Sequence, residues 1–304
     1  MTQHLIVGAG PVGTALAREL LARGEDVTVV TRSGSGIDGT ERVKADASDA
    51  DRLSELAQGA AAIYNCVNPP YDKWAETWPA ISAALITAAE RSGAVLAVTG
   101  NLYGYGKVDA PMTEQTPLAA TGTKGRVRNR MWADALAAHE AGRIRMFEVR
   151  GSDYLGGNSY LSTVVTPAWR KGRTAYVPAA LDVPHTFTDV RDVATLLATG
   201  VGDERAWGRA WHVPSPAPLT MRELTTLAAQ AMNVPNKVRS LPYAAVWAAG
   251  VFTPFVKELR ETQHQFRRPY VLDSSSAQET FGLTPHATTD SVAFDLANGA
   301  PAPR

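Results

Sequence analysis

Three glycines stand at the spacing G-x-G-x-x-G in the run Leu5-Ile6-Val7-Gly8-Ala9-Gly10-Pro11-Val12-Gly13. Each lacks a side chain where one would obstruct. Gly8 allows a tight turn out of an apolar strand, Gly10 lets the backbone approach a pyrophosphate, and Gly13 lets the following helix pack closely on the sheet. Pro11 and Val12 open that helix, whose positive N-terminal end would face the pyrophosphate. The chemistry is dinucleotide binding. Residues 14–23 carry Ala15, Leu16, Leu20 and Leu21 at helical spacing, and residues 26–30 read as a second strand.

The second strand runs into Thr31-Arg32-Ser33. An acidic residue here would accept the ribose hydroxyls and repel a 2′-phosphate, whereas a guanidinium and two hydroxyls suit that phosphate. Arg32 and Ser33 therefore predict NADP(H) in preference to NAD(H); the alternative for Arg32 is a solvated strand-end arginine.

The elements that must position these groups follow from periodicity. Strands are predicted at residues 42–45, 60–66, 94–99 and 144–150, and helices near 49–58, 74–92 and 125–141. Strands alternating with crossover helices describe an α/β, doubly wound parallel sheet of Rossmann type, with its ligand site at the carboxyl ends of the strands. Beyond Gly151 proline becomes more frequent and connections less regular. Residues 158–171 and 190–200 read as helices, 210–213 as a strand, and the segment from Leu219 as a helix after a threonine cap. The expected division is a dinucleotide-binding domain at 1–152 and a smaller α+β substrate lobe at 153–304, with about 186–213 returning to the sheet.

The chain has 304 residues, 45% hydrophobic, with 30 basic and 30 acidic side chains. That is enough to bury a large core, and the balanced charge argues against nucleic acid or an anionic membrane as partner. The lone Cys66 excludes an intrachain disulfide framework, and no histidine or acidic cluster has ligand spacing, so no metal is predicted. The apolar run 244–255 is too short to span a bilayer. The expected compartment is the cytosol.

Further motifs follow the strand ends. Ala45-Asp46 follows the third strand, Asn65-Cys66-Val67-Asn68-Pro69-Pro70-Tyr71 the fourth, and Thr99-Gly100-Asn101-Leu102-Tyr103-Gly104 the fifth; later come Phe187-Thr188-Asp189-Val190-Arg191-Asp192-Val193-Ala194 and Asp273-Ser274-Ser275-Ser276-Ala277. In order and spacing, over nearly the whole chain, these resemble the extended or atypical short-chain dehydrogenase/reductases, in the branch of NAD-dependent epimerase/dehydratases. The resemblance implies that Asp46 accepts from the adenine amino group and that Asn68 lies along the cofactor's ribose. It places Thr99 on the substrate oxygen, Tyr154 in the turn beneath the nicotinamide, and His185 near substrate. It also implies a tyrosine followed four residues later by a lysine, the lysine holding the ribose and lowering the tyrosine's pKa. Lys124 fits the lysine, but the position four before it is Ala120.

Without that phenol three readings stand. Another group protonates the product, Tyr103 being best placed among Tyr71, Tyr103, Tyr105 and Tyr154; or the substrate needs little acid help, as in conjugate reduction of an enone or quinone; or the cofactor is bound for structure or sensing, without turnover. Tyr71, Trp74, Tyr103 and Tyr105 line the expected substrate loops, which suits a small cyclic or aromatic molecule. A sugar diphosphate, the substrate type of an epimerase or dehydratase, would want arginines such as Arg267 and Arg268. Trp247 reads as lobe core or homodimer contact. The basic run 124–130 reads as a solvated helix face.

Overall fold

The computed structural model describes residues 2–249, 251 and 254–299. Apolar runs buried on both faces form its centre: β1 (Gln3–Val7) pairs in parallel with β2 (Asp26–Thr31) on one side and β4 (Ala62–Asn65) on the other. Between them in sequence lie α1 (Pro11–Ala22), β3 (Glu41–Lys44) and α2 (Ala50–Leu56). Next come α3 (Trp74–Ser92), β5 (Val95–Asn101), α4 (Thr123–Glu140) and β6 (Met146–Gly151).

Past β6 the chain forms β7 (Asp153–Leu155), a π turn over Leu161–Val165, α5 (Thr166–Arg170), β8 (Ala175–Val177), β9 (Phe187–Asp189), α6 (Val190–Val201) and β10 (Ala210–His212). Then follow α7 (Met221–Met232), β11 (Val238–Ser240), α8 (Tyr243–Ala249), α9 (Pro254–Arg267), α10 (Ser275–Phe281) and α11 (Thr288–Asn298). The sheet has seven parallel strands in the order β10-β6-β5-β4-β1-β2-β3. This is the doubly wound Rossmann arrangement, with β10 as a seventh strand beside the six that periodicity shows up to residue 150. The predicted helix over 158–171 is shorter than expected and begins as a π turn.

Alternation along each strand divides the core. Ile6, Ala62, Tyr64, Val95 and Ala97 pack with Leu16, Leu20, Val193 and Leu197 of α1 and α6. Leu5, Val7, Ile63, Leu96 and Val98 pack on the other face with Leu53, Trp78, Leu85, Ala88 and Met131 of α2, α3 and α4. A third cluster joins Leu161, Val165, Trp169, Val177, Phe187, Leu224 and Phe266. In α7, Thr220 and Glu223 form the reciprocal capping box that its threonine foreshadows. Trp247 is not core: it is 53% exposed, with the Arg260 guanidinium over its ring. Of the apolar run 244–255, residues 250, 252 and 253 lie outside the described residues, and no helix among the described residues is long and apolar enough to cross a membrane.

Strand order reverses at β1. The chain leaves it for β2 and β3 and returns to β4 on its other side, so a crevice opens between the segments that follow β1 and β4.

Candidate cofactor and substrate site

The glycine loop crosses that crevice. Gly8 has φ +107°, and a Cβ there would stand 2.5 Å from the Cys66 carbonyl oxygen; a Cβ on Gly13 would stand 2.0 Å from the Gly8 oxygen. These two close the turn onto β4 and α1. Gly10 differs, since a Cβ there meets nothing within 4 Å. It is the N-cap of α1 and supplies no side-chain cap, Pro11 takes a position in the first turn, and Val12 is buried. Uncapped helix amides beside open space fit a pyrophosphate.

At the edge of the crevice Arg32 and Ser33 are exposed, and among the described residues no carboxylate pairs with Arg32. The Ser33 hydroxyl donates to Ser35 Oγ at 2.9 Å. Asp46 accepts from the Ser48 amide at 2.8 Å and hydroxyl at 2.6 Å. Those bonds, with Arg32 contributing, hold its carboxyl below the ordinary carboxylate range. Asn68 is exposed, whereas Asn65 is buried and accepts from the Val67 amide at 3.2 Å.

The ends of β4 to β6 converge. Thr99 Oγ1 lies 3.6 Å from Cys66 Sγ, and burial pushes the Cys66 thiol up to about 12, so it stays an unreactive packing group. The Tyr154 hydroxyl donates to the Gly100 carbonyl at 2.6 Å, with its ring against Gly151. The Tyr71 and Tyr103 hydroxyls are hydrogen-bonded to one another, with ring centroids 6.4 Å apart, and both rings pack on Trp74. Burial raises both phenols above their ordinary value, so each is a neutral proton donor. Thus Tyr71, Trp74 and Tyr103 come together. Tyr105 does not join them. It is 1% exposed, and its hydroxyl accepts from Arg150 Nη1 at 3.0 Å and donates to His212 Nε2 at 2.7 Å.

Lys124 is buried, its ammonium 5.4 Å from the centre of the Tyr71 ring and bonded to Glu258 of α9, with Glu261 Oε2 at 3.8 Å. One turn along α4, Arg128 reaches β5: Nη1 donates to the Thr99 carbonyl at 3.2 Å, while the guanidinium lies 4.8 and 4.6 Å from the Trp74 and Trp78 ring centres. Its Nε is buried without a partner. The basic run is therefore no uniformly solvated face, because Arg126 and Arg130 are exposed while Lys124 and Arg128 turn inward. The signal was the four-residue spacing of Lys124 and Arg128, which places both on one side of a helix. Ala120 is packed against backbone, its Cα 3.0 Å from where a Cβ on Gly106 would stand.

His185 is 4% exposed and stacks on Phe266 and Tyr270. Nε2 lies 2.5 Å from Asp153 Oδ2 and Nδ1 3.1 Å from the Gln265 carbonyl, so both ring nitrogens face acceptors. Asp153, which sequence reasoning passed over, contributes to raising the phenols of Tyr71, Tyr103, Tyr160 and Tyr270. Arg267 and Arg268 are engaged elsewhere: Arg267 donates to the Leu241 carbonyl, and Arg268 lies 3.8 Å from Asp109. No group of three or more potential metal ligands occurs among the described residues.

Sheet, switch-point crevice and uncapped glycine loop define a dinucleotide-binding protein. The chain belongs to the NAD dependent epimerase/dehydratase family, whose model matches residues 4–204. Solved structures share the fold. The dTDP-glucose 4,6-dehydratase of Bacillus anthracis, in complex with NAD, superposes with a TM-score of 0.78 at 13% identity, covering 98% of this chain and 97% of that one. A double mutant of the dTDP-glucose 4,6-dehydratase DesIV from Streptomyces venezuelae, with NAD bound, gives 0.76 at 19% identity over 98% and 96%. MoeE5, in complex with UDP-glucose and NAD, gives 0.77 at 16% over 97% of each chain. No curated protein matches the sequence.

Proposed function

We propose that this protein is an NADP(H)-dependent oxidoreductase of the short-chain dehydrogenase type, acting on a small cyclic or aromatic molecule in the cytosol. The observation that carries the reading is the hydrogen-bonded pair of neutral phenols, Tyr71 and Tyr103, packed on Trp74, whose ring lies under the Arg128 guanidinium that bonds the Thr99 carbonyl. Aromatic walls accept an apolar ring, and a neutral phenol can protonate an oxygen as negative charge develops on it. Gly8, Gly10, Pro11, Val12 and Gly13 would hold the pyrophosphate, Arg32 and Ser33 a 2′-phosphate, and Asp46 and Asn68 the adenine and ribose. NADPH, when bound, supplies a hydride. Thr99 would orient the substrate oxygen and Tyr103 give it a proton, with Tyr71 sharing the charge left behind. Arg128, whose guanidinium reaches the end of β5, takes the ribose-holding part that the resemblance assigns to Lys124.

Cofactor choice is tested by nicotinamide fluorescence during titration with NADPH and NADH. Arg32→Ala should weaken NADPH binding about tenfold, the worth of one exposed charge-assisted phosphate contact, and leave NADH binding unchanged. A wild-type preference for NADH would remove Arg32 from the site. Catalysis is tested by NADPH oxidation across a panel of cyclic ketones, enones and quinones, where Tyr103→Phe should lower kcat about 10²-fold with NADPH affinity retained. Undiminished turnover would dismiss Tyr103.

A second reading, a catalytically silent NADP(H)-binding sensor, is supported by Ala120 packed on backbone and by Lys124 neutralised within its own chain. NADPH binding without oxidation of any panel member would favour it.

A further inference from the structure

We infer that Glu258 and Glu261 of α9 are specificity-determining residues that close the cleft to a substrate diphosphate and reserve it for an uncharged or cationic molecule. The inference rests on the proposed function in one respect, the substrate's place beside Tyr71 and Tyr103.

The start of α4 has what would draw an anion. Its N-cap, Gly122, provides no side-chain cap, its first amides point outward, and Lys124 adds an ammonium. The chain fills this position itself. Glu261 Oε1 accepts from the Lys124 amide at 2.7 Å and the Gly125 amide at 3.4 Å, while Glu258 bonds the ammonium. Gly122 is held so closely that a Cβ would stand 2.2 Å from Glu261 Oε1. Lys124 is left 1% exposed. Two carboxylates against one ammonium leave net negative charge beside the Tyr71 ring.

The neighbouring charges do not reverse that sign. Arg128 is engaged with the Thr99 carbonyl and two indoles, and the Asp153 carboxylate, 2.5 Å from His185 Nε2, adds negative charge that helps to raise the Tyr71 and Tyr103 phenols. Arg267 and Arg268, the arginines that a sugar diphosphate would recruit, are turned to Leu241 and Asp109. A diphosphate entering here would meet carboxylates at short range, partly shielded from water, where like-charge repulsion is strong. A neutral ring or an amine would not.

The test is calorimetric titration of UDP-glucose into the NADPH-loaded protein, comparing wild type with Glu258→Gln and Glu258→Gln/Glu261→Gln. Wild type should show no binding at about 1 mM, and each variant should bind roughly tenfold or more tightly than wild type. Glu258→Gln keeps the Glu261 cap on α4, so a folded variant is available even if the double change destabilises the helix. Wild-type binding below about 1 mM, or folded variants that bind no better than wild type, overturns the inference. The nicotinamide titration reports the cofactor reading separately. If neither NADPH nor NADH binds, the same UDP-glucose titration is run on the bare protein.

Discussion

Gly13→Ala should unfold more easily and lose its cofactor, while Gly10→Ala should lose the cofactor alone. A methyl at Gly13 would stand 2.0 Å from the Gly8 carbonyl oxygen and 3.2 Å from Cys66 Cβ, against backbone on one side and a buried residue on the other. Neither can retreat cheaply, because the Cys66 amide donates to the Val7 carbonyl at 2.9 Å and Gly8 is bound to Val30. Overpacking of this kind costs about 1–3 kcal/mol. On the proposed reading the displaced loop also carries the pyrophosphate, so NADPH affinity should fall roughly tenfold to a hundredfold. At Gly10 the methyl meets no protein atom, so stability should stay within about 0.5 kcal/mol. It would instead enter the open space that we propose for the pyrophosphate. Thermal unfolding and nicotinamide fluorescence on the two variants separate these effects. Full NADPH affinity in Gly10→Ala would mean that no phosphate approaches there.

Glu148→Ala should cost about 3–5 kcal/mol, because it leaves a buried guanidinium without its carboxylate. Arg150 is 3% and Glu148 7% exposed, with Arg150 Nε 2.6 Å from Glu148 Oε1 and the guanidinium between the rings of Tyr105 and Trp132. From Arg150 the hydrogen bonds run in one direction, through the Tyr105 hydroxyl to His212 Nε2, while His212 Nδ1 donates to the Asp273 carbonyl at 2.8 Å. Burial pushes His212 down, which keeps it neutral and able to accept. The network ties β6 to β10 and to the segment before α10, so the loss should appear as a fall in Tm of about 5–8 °C. Glu148→Gln, which keeps a hydrogen-bond acceptor, should lose less. A Tm unchanged in Glu148→Ala would show that the pair contributes nothing net.

Much of the binding half of this molecule is local and therefore legible. The run from Leu5 to Gly13 specifies strand, turn and helix start within a few residues, and the period-two and period-3.6 patterns reveal most strands and helices of the sheet without knowledge of their partners. Arg32, two residues past the hydrophobic run of β2, is placed by chain direction alone. The resemblance likewise rests on short motifs at strand ends, each carried by contiguous residues.

The chemical half is different, because its decisive contacts join residues far apart in sequence. Helical spacing puts Arg128 on the side of α4 that carries Lys124, but only packing of α4 on β5 turns it to the Thr99 carbonyl. Tyr105 sits two residues from Tyr103 in the same aromatic loop, yet the turn sends one to Tyr71 and the other into the Arg150 network. Asp153 becomes part of a pair when β7 aligns with β9 and brings His185 near, 32 positions away. Glu258 and Glu261 lie 134 and 137 residues from the lysine and amide they engage. The sequence by itself determined the sheet and the kind of molecule the glycine loop can hold, since both depend on backbone geometry over a few residues. Which charges face the cleft was decided by the tertiary structure alone, because a side chain's partner depends on how distant helices pack.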